Sequence, residues 1–138
     1  MDKCQLDTDI LSETLKARNP NVVDRLTAYK ASFGQITISA VSVMEVVKGF
    51  HKVGRNDALQ KFLDGLKASE ILAFDQSCAE IAGRIHADLE RTGQPIGRAD
   101  PMIAASALRY GLTLVTGNTT HYQRIQTLGY SLVLDNWR

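Results

Sequence analysis

The sequence predicts a single α/β domain over residues 1–138, with a mostly parallel central sheet of about five strands flanked by helices in three layers. Three observations lead to this fold class. Short apolar runs alternate several times with segments whose apolar residues recur at helical spacing, as in parallel sheets with helical crossovers. The length suits one domain with a sizeable core. No internal repeat, low-complexity tract or linker-like stretch divides the chain.

The first half of the chain is predicted to contain two strands and four helices. In order, these are a strand at 4–7, a helix at 10–17, a helix from Asn19, a strand at 36–39, a helix from Ser42 and a helix at 57–66. Asn19 and Pro20 are a favourable helix start, because Asn caps the first amides and Pro tolerates the first helical position. The strand at 36–39 is predicted from its compact β-branched run.

The second half is predicted to contain three strands and three helices. In order, these are a strand at 71–73, a long helix after Asp75, a loop at 92–97, a helix at 100–110, a strand at 112–115, a helix at 121–128 and a strand at 131–134. Asp75 can cap the long helix, and Gly111 is a favourable C-cap. Gly and Pro residues mark the loop.

Composition excludes several classes of protein. The net charge is +1 and the pI is near 7.8, so nucleic-acid binding does not follow from charge alone. Cys4 and Cys78 form no CxxC or Cys/His cluster, and we expect both to be small buried residues in a reducing compartment. No apolar run approaches a membrane span and no secretory signal begins the chain, so we expect a cytoplasmic protein with no membrane association.

Polar side chains follow the predicted strands at four places where an open α/β sheet keeps its site. These are Asp7 and Asp9 after the first strand, Glu45 after the second, Asp100 after the Gly/Pro loop, and Asn118 and His121 after the fourth. Several acidic groups at one edge would repel one another unless a cation lay between them. Mg²⁺ or Mn²⁺ suits such a cluster, because these ions prefer carboxylate oxygen and water and can activate water for phosphodiester hydrolysis.

Most of these residues also have a purely structural interpretation. Ser42 and Glu45 match a capping box, and Asp100 before Pro101 matches an N-cap. Asn118 and Asp9 can likewise cap helices. Asp7 has the weakest structural explanation, because a carboxylate that ends an apolar strand would be partly buried and would need a partner.

Four segments of the sequence resemble the PIN-domain family, and most closely its VapC-type toxins. They are Leu6-Asp7-Thr8, the helix start around Glu45, residues 95–105 and Leu114-Val115-Thr116-Gly117-Asn118. The resemblance runs from the first strand to the last. Residues 95–105 are the most specific part, since the loop, Asp100 and Ile103-Ala104-Ala105 follow the family order.

The resemblance implies an Mg²⁺- or Mn²⁺-dependent endoribonuclease that a cognate VapB-like antitoxin holds inactive. Asp7, Glu45 and Asp100 would then be the acidic metal-site residues, and Asn118 would complete the site. In this interpretation Asp7 and Asp100 hold the ion directly, and Glu45 binds it directly or through water. The family also implies a homodimer, with a heterotetramer or a larger assembly when the antitoxin is bound.

Two positions depart from the family pattern. Asp9 stands where the family commonly has Asn or Ser, and it can add charge or cap a helix. His121 stands where an acid is frequent, so it is a substrate contact, a residue that supports the site, or a surface residue. The sequence leaves these roles open.

Two other functions are compatible with parts of the sequence. Asp7-Thr8-Asp9 contains the Asp-x-Asp of haloacid-dehalogenase-type phosphatases, in which the first carboxylate is a nucleophile and the second a general acid. The late acidic pair of those enzymes is missing, since Gly117-Asn118 occupies that place. The other alternative is a PIN-like module that binds RNA or protein without cutting.

Overall fold

The structure, a computed structural model, describes residues 1–138 and contains a five-stranded parallel sheet with helices on both faces. The strands are β1 (Cys4–Leu6), β2 (Thr37–Ser39), β3 (Glu70–Leu72), β4 (Thr113–Val115) and β5 (Leu134–Asp135). The helices are α1 (Thr8–Lys16), α2 (Pro20–Phe33), α3 (Ala40–Lys52), α4 (Asn56–Gly65), α5 (Gln76–Arg91), α6 (Ala99–Tyr110) and α7 (Thr119–Thr127). A 3₁₀ turn, Leu66–Ala68, follows α4. The predicted fold class is confirmed.

The strand order is β3-β2-β1-β4-β5, and every neighbouring pair is parallel. The chain moves outward from β1 to β2 and β3, then returns to place β4 on the other side of β1. The order of the strands therefore reverses between β1 and β4. In open α/β sheets this reversal opens a crevice at the carboxyl ends of the two strands, where ligands bind.

The core consists of two apolar clusters, one on each face of the sheet. Alternation along the strands produces this division, because successive side chains point to opposite faces. In β1, Cys4 and Leu6 belong to one cluster, and the buried Gln5 between them donates to the Ile103 carbonyl of α6 at 3.1 Å. In β4, Val115 joins that cluster and Leu114 joins the other.

Most predicted helix signals are confirmed, with shifts at the ends. The Asn19 side chain accepts from the amides of Asn21 and Val22, Asp75 accepts from Cys78 N, and Gly111 is the left-handed C-cap of α6. The strand predicted at 131–134 is wrong by several residues, because the paired segment is Leu134–Asp135.

Trp137 fixes the chain segment that follows β5. Its side chain is buried, and its ring lies 5.7 Å from the ring of Tyr29 on α2. Cys4 and Cys78 are both buried and form no disulfide, as predicted. None of the seven helices combines the length and apolar character that a bilayer crossing requires.

Candidate active site

Strand register brings the first predicted site residue to the crevice between β1 and β4. Leu6 pairs with Val115 on one side and with Ile38 on the other. Asp7 and Thr116 are the next residues along their strands, so they leave the sheet at the same edge. The Asp7 amide extends the pairing by donating to the Val115 carbonyl at 2.8 Å.

Asp7 is the most deeply buried acid of this edge, with 5% of its surface exposed. Its Oδ1 accepts from the Thr8 amide at 2.7 Å, and its Oδ2 accepts from Thr116 Oγ1 at 2.8 Å. Burial, together with the nearby charges of Asp9 and Asp100, raises the pKa of Asp7 to about 7, although the Thr116 and Thr8 hydrogen bonds oppose the change. A cation beside Asp7 would favour its charged form.

Glu45 points toward the same place from α3, and its alternative structural interpretation as part of a capping box is wrong. The helix begins at Ala40, and Ser39 caps it by accepting from the Val41 amide at 3.1 Å. Glu45 therefore lies beyond the first turn. Its Oε1 accepts from Thr8 Oγ1 at 2.5 Å, and the same hydroxyl lies 3.0 Å from Ser42 Oγ.

Asp100 lies in the first turn of α6, and its alternative structural interpretation as an N-cap is also wrong. The helix begins at Ala99 after Arg98, and no side chain caps it. Asp100 Oδ2 instead lies 3.3 Å from His121 Nδ1. The first turn is a favourable place for an acidic residue, because the helix dipole attracts negative charge there.

Asn118 precedes α7, but its side chain does not cap the helix as the structural interpretation predicted. Asn118 Nδ2 lies 2.8 Å from His121 Nδ1, and the Asn118 amide donates to Thr116 Oγ1 at 2.9 Å. His121 thus contacts both Asn118 and Asp100. Of the roles left open for it, support of neighbouring site residues is the one that these contacts favour.

All four predicted site residues line one small cavity of about 280 Å³. Its lining has no hydrophobic residue and consists of Asp7, Thr8, Asp9, Ser12, Glu45, Asp100 and Asn118. These side chains come from the ends of β1 and β4 and from the early turns of α1, α3 and α6. Acids distant in the sequence therefore share one water-accessible space.

The sequence profile of the PIN domain matches residues 5–126. The chain belongs to the PIN-domain family. Its parallel sheet and its polar cavity agree with the resemblance on which the sequence prediction was based. Membership of this family also removes the phosphatase interpretation of Asp7-Thr8-Asp9.

Relatives whose names state a nuclease activity match this PIN domain over nearly their whole length. The tRNA(fMet)-specific endonuclease VapC of Shigella flexneri is 33% identical over 91% of this chain and 93% of its own. Ribonuclease VapC2 of Rickettsia felis is 31% identical over 96% of each chain. A chain in the crystal structure of DNA-bound VapBC from Salmonella typhimurium superimposes with a TM-score of 0.84 at 29% identity, and the match covers 100% of both chains.

Asp9 is the first of the two departures from the family pattern. In this PIN domain its carboxylate accepts hydrogen bonds from backbone amides. Its Oδ2 accepts from the Gly117 amide at 3.1 Å, and its Oδ1 accepts from the Ile10 amide at 2.7 Å. The expectation that Asp9 caps α1 is wrong, because Asp7 occupies the N-cap position. Asp9 instead connects the first turn of α1 to the loop that carries Asn118.

Three side chains of the site received no role from the sequence. Thr8 and Thr116 contact Glu45 and Asp7 as described above, and both directly follow predicted strand residues. Tyr122 is fully buried on α7, and its hydroxyl has no hydrogen-bond partner. Burial raises its pKa well above the usual range, and the charges of Asp7 and Asp100 act in the same direction. In the sequence, the only signal that Tyr122 lies near the site was its position one helical turn after Asn118.

The donor set of the cavity fits Mg²⁺ or Mn²⁺. It offers carboxylate, amide and hydroxyl oxygens, with no thiol or imidazole cluster that would favour zinc. No three acidic, His or Cys side chains lie close enough together to hold a metal ion in their present arrangement. Hard cations commonly retain several waters, so an open set of carboxylates suits them. The raised pKa of Asp7 indicates that its two hydrogen bonds do not offset the cost of burying its charge, and the buried Tyr122 hydroxyl has no hydrogen-bond partner.

A second and larger cavity of about 820 Å³ begins beside the acidic one and shares Thr8, Ser12 and Glu45 with it. It lies between α1, α3 and α4, and we call it the lateral groove. Its cations are Lys16, Arg18, Arg55 and Lys61. All four are exposed and none forms an ion pair with a carboxylate.

Proposed function

We propose that this chain is an Mg²⁺- or Mn²⁺-dependent endoribonuclease that acts in the cytoplasm as the toxin of a type II toxin–antitoxin module. The observation that carries the proposal is the convergence of Asp7, Glu45, Asp100 and Asn118 on one cavity without hydrophobic lining. Family membership supports the same activity. So do the two VapC relatives, whose names state an endonuclease and a ribonuclease and which match this chain over 93% and 96% of their own lengths.

Asp7 and Asp100 would hold the divalent ion directly, and Glu45 directly or through water. A bound ion would supply Lewis acidity, which activates the attacking water and offsets charge on the phosphate of the RNA. Asn118 adds a neutral polar group at the rim of the acids. It can orient a water or a phosphate oxygen without adding negative charge.

The remaining side chains keep these groups in place. Thr116 donates to Asp7 Oδ2 and accepts from the Asn118 amide, so one hydroxyl fixes residues on both sides of the crevice. Thr8 orients Glu45 by donating to Oε1. Side chains held by such hydrogen bonds need little reorganisation when substrate arrives. The site is therefore built on strand ends and helix starts, with few free rotamers.

The lateral groove offers a path for RNA that leads into the acidic cavity. Four cations without carboxylate partners can meet phosphates, which would otherwise be repelled by the acids of the site. Arg55 lies 5.5 Å above the Phe50 ring, so an apolar floor supports its guanidinium group. A net charge of only +1 thus does not prevent local attraction of a polyanion.

A cognate VapB-like antitoxin would restrain this activity, as the VapBC complexes among the structural relatives suggest. The chain exposes large apolar side chains that such a partner or a second copy can cover. They include Leu15 on α1, Met44 on α3 and Val53 after α3, the last with 66% of its surface exposed. A homodimer, joined into a heterotetramer or a larger assembly by antitoxin, is the expected form.

Cleavage of structured RNA, including tRNA, tests the proposal. Purified protein should cut with Mg²⁺ or Mn²⁺ and lose the activity in EDTA and in Asp100→Asn, which removes one charge from the site. Asp57→Asn is a matched control, because Asp57 is also in the first turn of a helix but lies outside the cavity. Full activity of Asp100→Asn would refute the site. RNA that is bound without being cut by folded, metal-loaded protein would indicate the binding module.

A further inference from the structure

The side chain of Arg138 reaches the edge of the acidic cavity from the segment after β5. Three contacts fix that segment. The Thr116 amide donates to the Asp135 carbonyl at 2.9 Å, the Trp137 side chain is buried, and the Arg138 amide donates to Asn136 Oδ1 at 3.0 Å. These contacts place the Arg138 backbone beside the edge of the acidic cavity.

Arg138 contacts two carboxylates of α1 and the loop after β4. Its Nη2 lies 3.6 Å from Asp9 Oδ2 and 3.3 Å from Glu13 Oε1. The guanidinium group also packs on Gly117, where a Cβ would lie 2.5 Å from Arg138 Cζ and 2.9 Å from Asp9 Oδ2. Gly117 has no side chain to keep these two groups away, so the Arg138 guanidinium, the Asp9 carboxylate and the Gly117 backbone lie in contact.

Asp9 is an additional negative charge in a crowded acidic site. It lines the same cavity as Asp7, Glu45 and Asp100, and its charge already acts on Asp7. Yet its Oδ2 accepts from the Gly117 amide, which leads directly to Asn118. A carboxylate that accepts from two backbone amides and lies within ion-pair distance of an arginine is satisfied within the protein and is poorly placed to turn toward an ion.

We propose that Arg138 is a positioning residue of this site. It neutralises the Asp9 carboxylate and keeps it on the Gly117 amide, so that Asp9 supports the loop carrying Asn118 and does not serve as a fourth acidic metal ligand. Asp9 and Arg138 then form a unit: the acid holds the loop, and the arginine offsets the charge that this acid adds.

A double-mutant cycle on the full chain tests the inference with Arg138→Gln, Asp9→Asn and the double variant. The Asp9→Asn side chain keeps an oxygen for the Gly117 amide but removes the charge. In EDTA, the Gly117 amide should exchange its hydrogen about tenfold faster or more in Arg138→Gln, because Asp9 loses its contact with the arginine. In Asp9→Asn and in the double variant, that amide should exchange as in wild type.

Calorimetric titration with Mn²⁺ gives a second readout that a merely structural role would not change. Arg138→Gln should bind Mn²⁺ several-fold more tightly than wild type, because the Asp9 carboxylate is released toward the ion. The double variant should not show this gain. Glu13→Gln is the matched control, since it removes the other carboxylate partner of Arg138 and should leave the cycle unchanged.

Two results would overturn the inference. An effect of Arg138→Gln that is equally large in wild type and in Asp9→Asn would mean that Arg138 does not act through Asp9. Loss of the effect in Glu13→Gln would assign the role to Glu13. The Mn²⁺ arm rests on the proposed metal site, whereas the exchange arm does not. Absence of any Mn²⁺ binding would contradict the proposed function, and the exchange rates in EDTA would then decide the role of Arg138 on their own.

Discussion

Thr8 Oγ1 donates a hydrogen bond to Glu45 Oε1 at 2.5 Å, and this contact connects the first turn of α1 to α3 across the acidic cavity. The two residues come from helices that follow neighbouring strands, β1 and β2. The orientation of Glu45 therefore depends on a hydroxyl contributed by a different segment.

Removal of this hydroxyl should weaken the site without unfolding the protein. A hydrogen bond to a charged group contributes about 1.5–3 kcal/mol, so Thr8→Val should lower kcat/KM by roughly ten- to a hundredfold. Thr8→Ser keeps the hydroxyl and should stay close to wild type. RNA cleavage and Mn²⁺ titration of the two variants provide the measurement. Equal loss in both variants would show that the methyl group matters instead.

Metal-free protein should lose stability as the pH rises through the pKa of Asp7. The folded-state pKa of about 7 is above the ordinary value, so protonation favours the folded state. The contribution of Asp7 protonation to the free energy of unfolding is fully present below about pH 4 and disappears as the pH rises through 7. Urea unfolding in EDTA should show the decline in wild type, on the order of 4 kcal/mol. Asp7→Asn should flatten it, and a wild-type profile unchanged by this substitution would contradict the prediction.

Two buried tyrosines should respond in opposite ways to loss of their hydroxyls. Tyr122→Phe removes a hydroxyl without a partner, so metal-free stability should stay constant or rise by up to about 1 kcal/mol. Tyr29→Phe is the matched comparison, because the Tyr29 hydroxyl accepts from Cys4 N at 3.2 Å and lies 3.3 Å from Cys4 O. It should lose about 1 kcal/mol. Chemical unfolding in EDTA distinguishes the pair, and a larger loss in Tyr122→Phe would refute the assignment.

Cations of the lateral groove should affect substrate binding more than turnover. Arg18→Ala and Lys61→Ala should each raise KM for RNA with little change in kcat, since neither residue lines the acidic cavity. Each should also reduce the slope of log affinity against log salt by about 0.7, the value for one phosphate of a single strand. Lys30→Ala, on the exposed face of α2 outside the groove, is the control. A similar effect of Lys30→Ala would indicate non-specific attraction.

The strand-end rule explains why the acidic site could be located from the sequence. Asp7 and Asn118 each follow a short apolar run, and parallel strands bring their carboxyl ends to one edge. The alternation of strands and helices predicts that geometry without any tertiary information. Asp100 was located by its family segment, and its side chain lines the same cavity.

The structural roles of the same residues were less predictable, because local patterns do not give the exact start of a helix. Ser42-Val43-Met44-Glu45 has the spacing of a capping box, but α3 begins at Ala40 because Ser39 at the end of β2 already caps it. A shift of a few residues changes Glu45 from a cap into a cavity residue. Asp100 loses its predicted capping role for the same reason, since α6 begins at Ala99.

Contacts between distant segments were not predictable at all. Arg138 meets Glu13 across 125 residues of sequence, and nothing in the local composition of either segment indicates the pairing. The contact exists because β5 adds beside β4 and Trp137 packs against Tyr29. Such a relationship becomes visible only when the order of the strands is known.

The reversal of strand order between β1 and β4 also determines when the protein becomes active during its synthesis. Asp7 emerges from the ribosome before the rest of the site, but its strand lacks one of its two neighbours until Thr113–Val115 has been made. Asp100, Thr116 and Asn118 arrive within the same late stretch of the chain. A nascent chain that ends before this stretch cannot assemble the cavity. A ribosome that is still synthesising the earlier segments therefore carries a nascent chain without nuclease activity.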